Sequence, residues 1–227
     1  IGVAEILAGW GADRDTVVAA LLHDVLEDTD VKKSEMLERF GHNVSLLVEG
    51  VTKFTQADFS QEESLDRKIE TLRKLFEVMR QDIRVALIKL ADRVHNIMTI
   101  DSLPTPERQK RFAKETLDVF YKIAVHLGMR EVRHVFAEHC VPVLYGPAGN
   151  DSKRQRDRFC EREKGVVDMI RRDLEREQGG ATTGLVSIRL QPRNLLVFYQ
   201  KLEDEGQPVT GDAFALIATV KDEESCY

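Results

Sequence analysis

Ala20-Leu21-Leu22-His23-Asp24-Val25-Leu26-Glu27-Asp28-Thr29 places a histidine and three carboxylates within six positions of an otherwise apolar helical run. Four ionisable groups so close together are costly to bury unless something pairs them. A divalent metal ion would do so. On a helix His23 lies one turn from Glu27 and Asp24 one turn from Asp28, so two of the four can reach a metal while two carboxylates stand behind them. The bland alternative is a helix end near Thr29 with solvated acids and a His23 that is merely hydrogen-bonded in the core.

A second stretch favours the metal. Leu87-Ile88-Lys89-Leu90-Ala91-Asp92-Arg93-Val94-His95-Asn96 again sets an aspartate inside an apolar helical run, with Asn96 one turn further along the same face. Asp92 would complete a mixed nitrogen and oxygen ligand set suited to a hard or borderline cation such as manganese. Two separate polar intrusions into apolar helices point to one shared site.

Outward from these stretches, the pattern from Ile1 to about Tyr145 is helical almost throughout. Helices are expected from Asp15 or Thr16 through Val25, over Val31 to Phe40 with Gly41 as a stop, and over Asn43 to Val51. Phe54 to Glu62 reads as a loop. Helical spacing resumes over Ser64 to Met79 and Ile83 to Ile100, then from Glu107 to His126, where Gly128 ends it, and from Arg130 to His139. Gly146, Pro147 and Gly149 mark a boundary at Tyr145 to Asn150. Lys153 to Glu177 suits one amphipathic helix. The tail reads as strand, helix and strand at Gly184 to Leu190, Leu195 to Leu202 and Phe214 to Val220. The expected fold class is mainly α with a small C-terminal α/β segment.

Composition limits the function classes. The 227 residues have a formal charge of −6, which disfavours broad electrostatic binding of nucleic acid but leaves room for a small anionic substrate in a locally positive pocket. No apolar run approaches the roughly 18 residues needed to span a bilayer. Cys140, Cys160 and Cys226 are widely spaced and form no CxxC pair, which argues against a disulfide framework or zinc knuckle and makes a reducing cytoplasm the expected setting.

The words ALLHDVLEDTD, VEGVTK, VALIKLADRVHNIMTI and ETLDVFYKIAVHLGM resemble, in order and spacing, the hydrolase region of the RelA/SpoT homologues. The resemblance covers Ile1 to about Tyr145. It implies an HD-type helical bundle that removes the 3′-pyrophosphate of guanosine alarmones such as ppGpp and pppGpp, giving GDP or GTP and pyrophosphate. It also implies a manganese ion on His23, Asp24 and Asp92, catalytic roles for Glu27 and Asp28, a nucleotide contact at Asn96 and a pocket position at Thr99. With a phosphate-rich substrate, Lys53, Lys89 and Arg93 become candidates for phosphate contacts; each also reads as an ordinary solvated side chain.

There are departures from the family pattern. Its fourth metal ligand, a histidine followed by proline, would lie just before Ile1, so the sequence is expected to be a piece of a longer protein. Met98 stands where many relatives carry arginine. The tail resembles the family's synthetase domain in degraded form, with Ala215 where a magnesium-binding aspartate would stand, so alarmone synthesis is not expected. The resulting organisation is a hydrolase domain over residues 1–145, a linker over 146–164 and a partial synthetase-like domain over 165–227. That last domain is expected to regulate the first intramolecularly. Two other readings remain: a module that binds alarmones without turnover, and a general HD phosphohydrolase for other nucleotides.

Overall fold

Apolar residues three and four apart do form helices over most of the first 136 positions. The structure, a computed structural model, describes residues 1–55, 77, 80–177, 185–206 and 210–220. These belong to two compact units, Ile1–Phe136 and Ala137–Tyr227. The first contains α1 (Gly2–Gly9), α2 (Arg14–Leu21), α3 (Val25–Asp28), α4 (Lys33–Thr55), α5 (Ile83–Ile97), α6 (Pro106–Glu115) and α7 (Tyr121–His126). Helix α8 (Arg130–Glu177) begins in it and continues into the second unit, where β1 (Leu185–Pro192), α9 (Leu195–Glu205), α10 (Thr210–Ala213) and β2 (Phe214–Val220) follow. The protein is thus mainly α with a small two-stranded sheet.

Helices α1, α2, α4 and α5 pack on one another. Their fully buried positions include Leu7, Ala19, Leu47, Val48, Val51, Ile88, Leu90, Ala91 and Ile97. Leu90 and Ala91 flank Asp92, so burial of the apolar stripe of α5 determines where that carboxylate emerges.

The starts of α2 and α5 are tied together. Asp13 caps α2 by accepting from the Thr16 amide at 3.0 Å, and Asp82 caps α5 by accepting from the Arg84 amide at 2.9 Å. The Arg84 guanidinium pairs with Asp82 at 2.7 Å and reaches Asp13 at 3.3 Å. Hydrogen bonding from Arg84 holds the Asp82 carboxyl below its usual range, and the Thr16 amide does the same for Asp13. A carboxylate with a depressed folded-state pKa adds stability above its unfolded value, and that contribution is lost as pH falls through the folded one. The pair should therefore stop stabilising the fold progressively below about pH 4. Asp82→Ala is expected to cost about 1 kcal/mol at neutral pH, the usual value of a helix cap. Urea unfolding at pH 7 and pH 3 checks both points, since the variant and wild type should differ less in acid.

Backbone geometry sets the other helix boundaries. Gly41, expected to stop a helix, does interrupt it: with φ 81° it divides α4 into two helical arms, where helices were expected over Val31 to Phe40 and Asn43 to Val51. Only glycine adopts that conformation without strain. Phe54 and Thr55, expected in a loop, complete α4; residues 56–62 and most of the helix expected over Ser64 to Met79 lie outside the described residues. Helix α5 ends at Ile97 and a short 3₁₀ turn follows at Ile100–Ser102. The helix expected from Glu107 to His126 contains a π turn at Thr116–Phe120.

The segment expected as a boundary and linker is helical. Helix α8 passes through residues 145–150 with a kink at Gly146, where φ is 53° and ψ −124°. Within the second unit the Arg156 side chain is 3% exposed and pairs with Glu138, and its guanidinium also donates to the Arg193 carbonyl at 3.1 Å. Tyr145 stacks on Tyr199 with ring centroids 4.2 Å apart. Strands β1 and β2 are antiparallel, with Gln191 opposite Ala215, and both strands and α9 fall where their sequence pattern put them.

Candidate functional site

The chain does not continue as one helix through the His-Asp pair. Helix α2 stops at Leu21, residues 22–24 form a turn, and α3 starts at Val25. The expected one-turn spacing therefore fails for His23 and Glu27, which lie on either side of the break, but holds for Asp24 and Asp28, where the Asp28 amide donates to the Asp24 carbonyl oxygen at 2.8 Å. The cause is local. The last carbonyls of a helix lack intrahelical partners, and His23 Nδ1 lies 2.8 Å from the Ala20 carbonyl oxygen and satisfies it. The acids are not buried either, since Asp24, Glu27 and Asp28 are exposed.

The turn nevertheless brings together the residues singled out as ligands. His23 Nε2 is 3.0 Å from Asp24 Oδ2 and 3.6 Å from Asp92 Oδ1. With Nδ1–H donated to Ala20, the neutral imidazole would turn its Nε2 lone pair toward two carboxylates. Lone pairs facing one another repel, so a proton or a cation must occupy that side of the ring. The Asp92 carboxylate beside Nε2 raises the His23 pKa, against the opposing effect of burial. Burial alone would push the Asp92 carboxyl up, but the adjacent His23 ring and the nearby charges of Lys89 and Arg93 hold it below the usual range.

One imidazole nitrogen and two carboxylate oxygens fit a borderline divalent cation, and a backbone carbonyl on the opposite ring nitrogen is the usual arrangement behind a metal-bound histidine. The donors are paired with one another rather than spread into a cage. Among the described residues no group of three or more His, Cys, Asp or Glu side chains is preset for a metal ion. A cation held here would be bound through His23 Nε2, the ring nitrogen that faces both carboxylates.

Asp92 is held from both sides along its own helix. Asn96 Nδ2 donates to Oδ1 at 2.9 Å, and Lys89 Nζ stands 3.5 Å from Oδ2. Lys89, three residues before Asp92 and only 9% exposed, is thus turned to Asp92. Asn96, expected at the nucleotide, has its amide nitrogen engaged with the carboxylate. Thr99 is exposed and donates to the Asn96 carbonyl oxygen at 3.2 Å. Lys53 is exposed in the last turn of α4. The Glu27 and Asp28 amides donate to the Asp24 carbonyl oxygen at 3.0 and 2.8 Å, but among the described residues no side-chain hydrogen bond or ion pair is seen between Lys53, Glu27 or Asp28 and the His23 and Asp92 cluster.

Arg93 is not brought into the cluster. Its guanidinium lies 4.2 Å from the Phe112 ring centroid and 4.0 Å from that of Phe120, and it pairs with Glu115 at 2.6 Å. Phe112 and Glu115 sit on α6, and the π turn follows Glu115 directly. Arg93 therefore fastens α5 to the segment carrying ETLDVF. Glu115 opens the word ETLDVFYKIAVHLGM, but its role as partner of Arg93, like that of Phe112, is visible only once the helices are packed. Removing one member of such a pair strands the other charge. Arg93→Met is expected to lower stability by about 3 kcal/mol in urea unfolding; a phosphate contact would instead leave stability unchanged and weaken substrate binding.

The HD domain family matches residues 1–130. Over its whole length the chain is 34% identical to a probable guanosine-3′,5′-bis(diphosphate) 3′-pyrophosphohydrolase of Synechocystis sp., covering 30% of that protein. It is 31% identical to the guanosine-3′,5′-bis(diphosphate) 3′-pyrophosphohydrolase of Haemophilus influenzae, covering 33%. With the bifunctional (p)ppGpp synthase/hydrolase SpoT of Escherichia coli it shares 34% identity and covers 32%. The chain spans about a third of the length of these relatives.

Proposed function

The chain belongs to the HD-domain family, with its likeness to RelA/SpoT-type proteins running along its full length, and on that premise we propose that it hydrolyses the 3′-pyrophosphate of guanosine alarmones. The observation that carries this reading is the meeting of His23 with Asp24 and Asp92, at 3.0 and 3.6 Å, from segments far apart in sequence. These three residues would hold the divalent cation, and we take manganese as the preferred one. When bound, such an ion supplies a Lewis acid and makes a nearby water easier to deprotonate.

The remaining steps belong to the protein's side chains. Glu27 and Asp28, exposed on α3 just beyond the His-Asp turn, orient the attacking water and return a proton to the leaving ribose oxygen. Water adds at the phosphorus attached to the 3′ oxygen, that oxygen–phosphorus bond breaks, and the products are pyrophosphate and a nucleotide with a free 3′ hydroxyl. Lys89 and Asn96 keep Asp92 in one orientation, and Thr99 and Lys53, both exposed, are the proposed contacts for the nucleotide and its phosphates. No helix among the described residues is long and apolar enough to cross a membrane. The proposed setting is the cytoplasm, and the proposed substrate a small nucleotide, since the formal charge of −6 disfavours broad binding of nucleic acid.

For the tail we propose no synthesis of alarmones, since the methyl group of Ala215 on β2 cannot coordinate magnesium. Its proposed role is regulation of the hydrolase. Loosening the second unit with Arg156→Met should then change the rate of hydrolysis; an equal rate removes the regulatory role. The main test is incubation of the protein and manganese with ppGpp, pppGpp, cyclic AMP and deoxynucleoside triphosphates. Pyrophosphate release from the alarmones alone is the expected result. Cleavage of the others would make it a general phosphohydrolase, and alarmone binding without turnover would make it a regulatory module.

A further inference from the structure

His95 is exposed in the last turn of α5, next to Asn96. Its Nδ1 lies 3.4 Å from Asn96 Oδ1, while Asn96 Nδ2 donates to Asp92 Oδ1 at 2.9 Å. An amide whose nitrogen is committed to a carboxylate has only its oxygen left to accept. The direction of the chain is thereby set: His95 Nδ1–H donates to Asn96, and Asn96 donates to Asp92. The other edge of the imidazole rests on α1. A β-carbon at position 2 would stand 2.4 Å from His95 Cδ2 and 2.5 Å from Nε2, a separation that only glycine permits.

We propose that His95 is a positioning residue for Asp92, acting through Asn96, and that Gly2 is the seat that keeps its ring in place. An exposed asparagine with one partner turns freely about its last bond. A second partner on the amide oxygen holds its nitrogen on Asp92 Oδ1. Asp92 then presents its carboxylate to His23 in a single orientation, with Lys89 on the remaining oxygen. This inference rests on the proposed function in taking Asp92 as a metal ligand, but the relay itself is a property of the metal-free protein.

Position 2 makes the inference testable, because it bears no functional group of its own. The group that a new methyl would strike is the end of an exposed side chain, so Gly2→Ala displaces the His95 ring and leaves the fold intact. Alanine is also the better helix former. The variants are Gly2→Ala, His95→Leu, His95→Asn and the double variant Gly2→Ala/His95→Asn. Asparagine at 95 keeps a donor near Nδ1 while leaving room for a methyl group at position 2.

Two readouts apply: the Asn96 side-chain amide resonances of the ¹⁵N-labelled metal-free protein, and manganese affinity by calorimetry without substrate. His95→Leu and Gly2→Ala are expected to shift the Asn96 resonances and to weaken manganese binding about three- to tenfold, at the low end for groups behind a metal ligand. His95→Asn should restore both, and adding Gly2→Ala to it should change neither. Gly2→Ala should melt no lower than wild type. Unmoved Asn96 resonances in both variants would overturn the inference. So would unchanged manganese affinity with a raised KM for the alarmone, which would make Asn96 a substrate contact only. If the wild-type chain binds no divalent cation, the proposed function fails and the purpose assigned to His95 fails with it. Wild-type binding that both variants leave unchanged overturns this inference alone.

Discussion

His23→Ala is expected to abolish manganese binding and to lower alarmone hydrolysis at least about 1,000-fold, equivalent to roughly 4 kcal/mol of transition-state stabilisation. The expected size follows from the position of the ring. Its Nε2 is the nitrogen donor of the cluster and faces both Asp24 and Asp92, while Nδ1 is already committed to Ala20. Alanine removes the donor and leaves two carboxylates without the group between them. Asp92 keeps Asn96 and Lys89, so the fold should survive. Calorimetric titration with manganese, paired with a melting curve, separates loss of the site from loss of the protein. A His23→Ala protein that still binds manganese with wild-type affinity would remove His23 from the ligand set.

The second large effect should have the opposite pattern. Glu27→Gln and Asp28→Asn are each expected to lower turnover between about 100- and 10,000-fold, the usual contribution of a positioned acid or base, while manganese affinity stays within about twofold of wild type. Both side chains are exposed on α3, so replacing either should move stability by no more than about 0.5 kcal/mol. Binding and chemistry are thus assigned to adjacent but distinct groups: the His-Asp turn with Asp92, and the acids of the next helix. Equal loss of metal affinity in these variants and in His23→Ala would merge the two groups into one.

The meeting of His23 with Asp24 and Asp92 was legible because a polar side chain inside an apolar helical run stands out against its neighbours. Asp92, between Ala91 and Arg93, and His23, after Leu22, both carry that contrast. What the pattern could not convey was the break after Leu21. Apolar spacing over Ala20 to Leu26 is the same whether the backbone runs on or turns, and the choice depends on a side chain capping a carbonyl. Arg93 illustrates a second limit. Next to a ligand and positively charged, it reads as a phosphate contact, yet the rings of Phe112 and Phe120 claim it once α5 and α6 pack. His95 illustrates a third, because its place depends on the missing side chain of Gly2, on a helix far away in sequence. In the tail, strand alternation was sufficient to locate β1 and β2. The glycine and proline cluster at 146–149, read as a break, coincides with the kink at Gly146, where a non-helical residue of positive φ joins two helical stretches.

The stop of α2 has a consequence for how such a centre could be lost. One leftover main-chain oxygen, at Ala20, accepts from His23 Nδ1–H and so leaves Nε2 facing the acids. A substitution in residues 21–24 that lengthened the helix by a single turn would draw that oxygen into the ladder, release the ring to its other tautomer and silence the centre with every ligand still encoded. Sequence inventories that count ligands would score such a descendant as intact.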